Sequence, residues 1–294
     1  MKLAVTPFHT NNINKLANKG ADVFILGNDK YANRLVTSFS EFEIKQANEI
    51  IKSLNKEIII SMNLIIHNSD ITDILEFLDI IKELNVDGII FGDLGLYNIA
   101  KKKQLEHLLI YNPETLNTNF YDKTFWTRKR IKGIIISKEI TLHDINEIGI
   151  DRNIDIGLVG HGHLNMFHSR RPLISNFFKF NNEESKDYVK NRNLRLIEEL
   201  RDEAYPVFQD EHGTHIFREK PMESYNEINE LSKSLDLFII DGIFKDMDYL
   251  LETTKNYSDI LKGNSQEIAK EISNKYKENH DSGFLYKKTV YDKY

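Results

Sequence analysis

The chain has 294 residues, a formal charge of −6, 40% hydrophobic and 29% charged residues, and no cysteine. The length suffices for one large α/β domain or two small ones with a sizeable core. The lack of thiols excludes disulfides and cysteine-held zinc or iron–sulfur clusters within this chain, and the negative charge excludes bulk attraction to nucleic acid.

No apolar run approaches the roughly 20 residues that span a bilayer. The opening MKLAVTPFHT is too short and polar for a secretory signal. A cytoplasmic chain with no membrane partner is the expectation.

Along the chain, short β-branched runs alternate with helical periodicity. Strands are predicted over 2–6, 22–26, 57–62, 88–91, 107–111, 133–137, 154–159 and 237–240. Each is largely apolar, as a strand buried on both faces should be. Ser40 is a natural N-cap for a helix over 40–54, with Phe42, Ile44, Ala47, Ile50 and Ile51 at helical spacing. A second helix is predicted over 71–84. Residues 21–27 and 86–92 echo each other, running from Ala/Val-Asp through an apolar strand to glycine.

Eight strands alternating with helices predict an α/β chain, a (β/α)8 TIM-like barrel treated as a single domain over 1–294. An open doubly wound sheet is the alternative, but the first strand leads into Thr6-Pro7-Phe8-His9 and not a glycine-rich phosphate loop. A helix-plus-hairpin insertion over about 163–235 separates strands 7 and 8. Its helix is predicted at 183–202 and its hairpin turns at His212-Gly213. A helical and extended tail follows over about 264–294, helical at 265–277 and extended at 283–291.

Residues 160–178, GHGHLNMFHSRRPLISNFF, gather histidines, arginines and asparagines at a strand end. Such a cluster, held by a rigid scaffold, suits an anionic or planar ligand. Arg170 and Arg171 are expected to clamp an anion. An ion pair with Asp210-Glu211 is the competing role. His161 and His163 lie two apart and are expected to face one side. With His168 they form a lesser alternative, a three-histidine metal site. Barrel chemistry sits at the strand C-termini, so the expected rim includes Thr6, Asn28, Asn63, Asp93, Asn112, Ser137, Glu139, His161, His163 and Asp241. Catalytic candidates are His161, Glu139 and Asp93. Asn63 and Asn119 are expected to orient the ligand.

At these residues the chain resembles peptidase family U32, the collagenase-like proteins. The family pattern His-Gly-Ala-Leu-Cys, then Tyr-Ser-Gly-x-Cys-Leu-Leu-Ser, stands here as His161-Gly162-His163-Leu164-Asn165, then His168-Ser169-Arg170-Arg171-Pro172-Leu173-Ile174-Ser175. The His-Gly pair and both serines are kept. Asn165 and Pro172 replace the cysteines. Residues 21–27 followed by Arg34, then 87–93, Ser137-Lys138-Glu139 and Gly283-Phe284-Leu285 are also similar to the family. The resemblance implies ligand-binding roles for His163, His168, Ser169, Ser175 and Arg34.

One branch in particular is similar: short, cysteine-free members that occur in pairs. It implies a subunit supporting prephenate-dependent hydroxylation of the tRNA wobble uridine. The implied partners are a larger cysteine-bearing U32 paralogue, tRNA and a small anionic metabolite. No cofactor is implied for this chain, and an iron–sulfur cluster falls to the partner. A collagenase-like hydrolase is the alternative. A non-catalytic scaffold for the paralogue is the second.

Overall fold

Residues whose side chains are apolar on both strand faces can bury them only inside a layered or closed sheet, and here they close a barrel. The computed structural model describes residues 1–184, 188–199, 203–264, 275–276 and 278–287. Its first seven strands are β1 (Lys2–Val5), β2 (Val23–Gly27), β3 (Glu57–Met62), β4 (Gly88–Phe91), β5 (Leu109–Tyr111), β6 (Gly133–Ile135) and β7 (Asp155–His161). The helices between them are α1 (Ile13–Asn18), α2 (Glu41–Ser53), α3 (Ile71–Leu84), α4 (Leu94–Lys102), α5 (Phe120–Arg128) and α6 (Leu142–Ile148). An excursion follows: β8 (Asn165–Ser169), α7 (Leu173–Phe180), β9 (Arg195–Ile197), β10 (Ala204–Asp210) and β11 (Gly213–Phe217). The chain then returns through α8 (Ile228–Ser234) to β12 (Leu237–Ile240) and ends its regular structure with α9 (Met247–Leu261).

The eight parallel strands close in the order β1-β12-β7-β6-β5-β4-β3-β2. This is the TIM-like barrel expected from the sequence. Its interior is filled by Ala4, Val23, Ile25, Ile59, Ile90, Ile110, Ile135, Leu237 and Ile239. The alternate residues of the same strands, such as Phe24, Ile58, Ile60, Ile89 and Phe238, pack outward beneath the helices. Period-two alternation thus builds both layers from one run of apolar residues.

The sequence echo has a physical cause at the base of the barrel. Asp22 accepts a hydrogen bond from Leu3 N at 3.2 Å, and Asp87 accepts one from Ile58 N at 2.8 Å. Asp236 repeats the contact with Ile156 N at 2.9 Å. Each carboxylate precedes one strand and satisfies a backbone donor at the start of its neighbour, holding the register.

Helices α2, α4, α5, α6 and α9 start where a side chain accepts their free N–H groups. Ser40 and Glu43 form a reciprocal capping box on α2, and Thr141 and Asp144 do the same on α6.

The excursion folds into a second sheet, β8-β11-β10-β9. The hairpin turning at His212-Gly213 is present as β10 and β11. The helix predicted over 183–202 is not: the described part carries a turn at residues 188–190 and the short strand β9. The excursion's helix is α7, in a segment expected to be a loop. Phe178 helps fix this arrangement by stacking on Tyr188, ring centroids 3.8 Å apart. The helix predicted over 265–277 falls almost wholly outside the described residues. The extended end is corrected at 283–286, which form a turn, since Leu285 must bury its side chain and accept a hydrogen bond from Leu142 N.

Gly160 is required by close approach, because a Cβ there would overlap the Phe238 ring. Gly160→Ala is therefore expected to cost about 1–3 kcal/mol through overpacking. Urea denaturation checks this; an unchanged midpoint would contradict it.

Candidate functional site

The loops that leave the strand C-termini of β1 to β6, β7 and β12 surround a cavity of about 120 Å³. Its floor is apolar, made by Ile25, Ile90, Ile135, Val159 and Ile239 at the top of the barrel interior. Its walls are polar: Thr6, Asn33, Arg34, Ser61, Asn63, Asn112, Glu114, Lys138, His163 and Asp241. An apolar base with convergent polar groups is the usual construction of a small-molecule site.

One ionic cluster dominates the wall. Arg34 Nη2 donates to Glu114 Oε1 at 2.6 Å, and Lys138 Nζ donates to Glu114 Oε2 at 2.9 Å. Burial pushes the Glu114 carboxyl up, but the two cations overcome it and bring the group down to about 2. Two positive charges facing one carboxylate leave an excess of one. The Lys138 side chain is 7% exposed, so that excess is poorly screened by water.

His163 forms the opposite wall. Its Nδ1 lies 2.9 Å from the Arg218 carbonyl and its Nε2 lies 3.2 Å from Glu278 Oε1. The ring is thus held at both nitrogens, between a backbone carbonyl and a carboxylate. Lys245 also pairs with Glu278. Burial opposes ionisation of Glu278, yet His163 and Lys245 bring it down to about 2. Burial raises the Asp241 carboxyl, partly offset by the hydrogen bond from Ile243 N. The mouth therefore joins cations to a carboxyl that burial raises above its ordinary value. Asn33 Oδ1 is buried there without a hydrogen-bond partner.

Of the residues named from sequence, the cavity collects Thr6, Arg34, Asn63, Asn112, His163 and Asp241. Glu139 lines an adjoining groove of about 470 Å³ with Tyr205, Arg218, Lys220, Asp281, Phe284 and other residues, sharing Lys138 and Leu164 with the cavity. Arg218 holds the groove wall through a two-pronged bond to Asp281 at 2.6 and 2.5 Å.

His161 does not reach the mouth. It is fully buried, with Nδ1 3.0 Å from Tyr257 Oη and Nε2 2.8 Å from Tyr249 Oη, both on α9. The expectation that His161 and His163 share a side fails because the β7–β12 register shifts at Ile239/Ile240. Gly162, at φ +118°, then turns the chain between them. Burial holds the His161 imidazole well below its ordinary value, aided by His280 and Lys245. The three-histidine alternative fails with it: His168 stacks on His215 in the second sheet, centroids 4.7 Å apart.

Asp93 caps α4, accepting from Gly95 N at 2.6 Å and from Ile66 N at 3.0 Å. Asn119 caps α5 through Tyr121 N and Asp122 N. Ser169 accepts from Arg171 N, and Ser175 exchanges hydrogen bonds with Gln209. Arg170 contacts His67 and lines a separate surface pocket of about 160 Å³ with His168. The ion pair with Asp210-Glu211 does not form, since Asp210 bonds His215 and Glu211 bonds Lys190. Neither arginine lines the mouth cavity, although the pocket of Arg170 shares Asn33 with it.

Glu114, Lys138, Glu278 and Lys245 were not named as site residues. Lys138 had a signal, its place directly after a strand end. Glu114 and Glu278 had none, because their partners lie 80 and 115 residues away.

A closed β/α barrel with a charged mouth defines a broad class of ligand-binding and catalytic barrels. The narrower class comes from comparison: the Peptidase family U32 profile matches residues 9–293, and the chain belongs to that family. The tRNA hydroxylation protein P2 of Bacillus subtilis (strain 168) is 30% identical, with 99% of each chain covered. The tRNA hydroxylation protein P1 of the same organism is 23% identical over 158 residues, which is 53% of this chain and 37% of that protein. P1 is therefore the longer chain. A U32 peptidase of known structure shares the fold at a TM-score of 0.51 and 13% identity, covering 82% of this chain and 92% of its own.

Glu114 and Glu278 have folded values near 2 against an ordinary 4.5. For lowered carboxyls the stabilisation is whole above the unfolded value and is lost as pH falls toward the folded one. Stability should therefore drop between about pH 4.5 and 2, and Glu114→Gln should flatten that limb in urea titrations at stepped pH.

His161→Ala should cost roughly 2–5 kcal/mol by opening a cavity and removing one hydrogen bond from each of two tyrosine hydroxyls, which keep Ser224 N and His280 as partners. Calorimetry would show this; a variant as stable as the parent would contradict the packing role.

Proposed function

We propose that this chain is a subunit of a tRNA-hydroxylating assembly, and that its barrel mouth binds a small anionic molecule used there. The observation that carries the reading is the Arg34–Glu114–Lys138 cluster at the mouth, in a chain similar from end to end to a tRNA hydroxylation protein. Arg34 and Lys138 attract the anion, His163 faces it, and the raised carboxyl of Asp241 offers it a proton or a hydrogen bond. Asn33 and Asn63 supply neutral hydrogen bonds that fix its orientation. The adjoining groove, with Glu139, Tyr205 and Lys220, leads from solvent to Lys138 and admits the wobble uridine of tRNA.

Hydroxylation also needs a redox centre. This sequence has no cysteine, so a thiolate-held iron–sulfur cluster falls to a partner. The longer paralogue is the proposed source. The presence of both a P1 and a P2 protein in one organism supports this. A site in the cytoplasm, where tRNA is modified, goes with the same reading.

The hydrolase reading has less support. Among the described residues no serine or threonine hydroxyl is hydrogen-bonded to a histidine, the pairing that activates such a nucleophile.

Deleting the gene should abolish hydroxylated wobble uridine in tRNA digests measured by mass spectrometry. The wild-type gene should restore it, while Lys138→Ala, at equal protein abundance, should restore less than about a tenth if the ammonium supplies a charge-assisted contact of the usual strength. Unchanged modification in the deletion strain would remove the reading.

A further inference from the structure

The excursion carries an apolar face that the barrel does not use. In α7, LISNFFKF, no residue is buried. Phe177 is 60% exposed and Phe180 86%. The strand register extends this surface across the sheet. Phe167 pairs with Ile216, and Ile216 with Val207. Leu196 pairs with Tyr205, two residues from Val207. Paired residues and residues two apart share a face, so Phe167 and Leu196 flank the same outer side. The opposite side belongs to the barrel, where Phe208 and Phe217 pack on Val36 and Ile243. Helix α7 is fastened over the middle of the outer side, with Leu173 N bonded to Thr214 Oγ1 and Ser175 N to Gln209 Oε1.

Three features make this face a docking surface. The first is area. At about 200 Å² per large apolar side chain, the exposed fractions of Phe167, Leu173, Phe177, Phe180 and Leu196 leave on the order of 500 Å² of apolar surface. A standard interface buries about 800 Å² on each partner, somewhat over half of it apolar. The second is charge. Lys179 is the one charged residue of α7, and nucleic acid needs a cationic surface. The third is the sheet edge. β8 has a neighbour on one side only and contains no charged residue in NMFHS. Edges left to solvent are normally guarded by lysine or another charge.

We propose that this face, formed by α7 and the outer side of β8 and β9, docks the longer U32 paralogue. The identity of the occupant rests on the functional reading above, in which a cysteine-free chain works beside a larger relative. Docking here places the second chain against the outer side of the excursion, opposite the side that packs on the barrel.

The test uses the full chain co-expressed with the longer U32 paralogue of its own genome, with mass from light scattering and affinity from titration calorimetry. The expected result is a one-to-one complex that the double variant Phe177→Glu/Phe180→Glu weakens at least tenfold. Phe167→Glu on β8 should weaken it independently. Phe42→Glu, another exposed phenylalanine but on α2, should not. Far-ultraviolet dichroism and melting of each variant alone confirm folding. A complex indifferent to all three substitutions overturns the proposal. So does a homodimer of this chain that the α7 variant dissolves while the paralogue stays unbound. A face-dependent complex in cells whose tRNA hydroxylation survives deletion would keep the interface and remove the functional reading instead.

Discussion

Closure of the barrel through the β1–β12 pairing is the constraint on which the rest depends. Arg34 follows β2, Glu114 follows β5 and Lys138 follows β6. They meet only because parallel strands in a closed ring deliver all their C-terminal loops to one end. Backbone hydrogen bonding and two apolar layers supply that geometry, and three carboxylates at the base, Asp22, Asp87 and Asp236, hold its register. The ionic cluster is a consequence of the closure and not its cause.

The mouth is poised by burial working against pairing. Burial alone would keep every carboxyl there neutral. Two cations reverse this at Glu114, and a histidine and a lysine reverse it at Glu278. Asp241 has no such partner, and its carboxyl stays raised. Neighbouring acids are thus shifted in opposite directions by their surroundings, Glu114 and Glu278 down and Asp241 up. A cationic excess in a weakly screened cavity is what an incoming anion would feel first.

The excursion divides the molecule into two surfaces with different duties. Its inner side, through Phe208 and Phe217, roofs the mouth. Its outer side presents Phe177 and Phe180 on a helix, both largely exposed. A monomer gains little from such a face.

The eight barrel strands, the helices at 40–54 and 71–84 and the hairpin at His212-Gly213 were legible in the sequence, because apolar periodicity and capping residues are local signals. The His-Gly block also marked the right end of the right strand. Its individual roles were not legible. A register shift sent His161 to the tyrosines of α9, while His163, past Gly162, reached the cavity. Asp93 and Asn119 proved to be helix caps. Arg170 and Arg171 lie on the excursion, which the second sheet carries away from the mouth. Composition determined that this chain has no thiolate chemistry, and periodicity determined its barrel. Which charges meet was decided by tertiary structure alone, because Arg34 and Glu114 lie 80 residues apart and only the closed ring makes them neighbours.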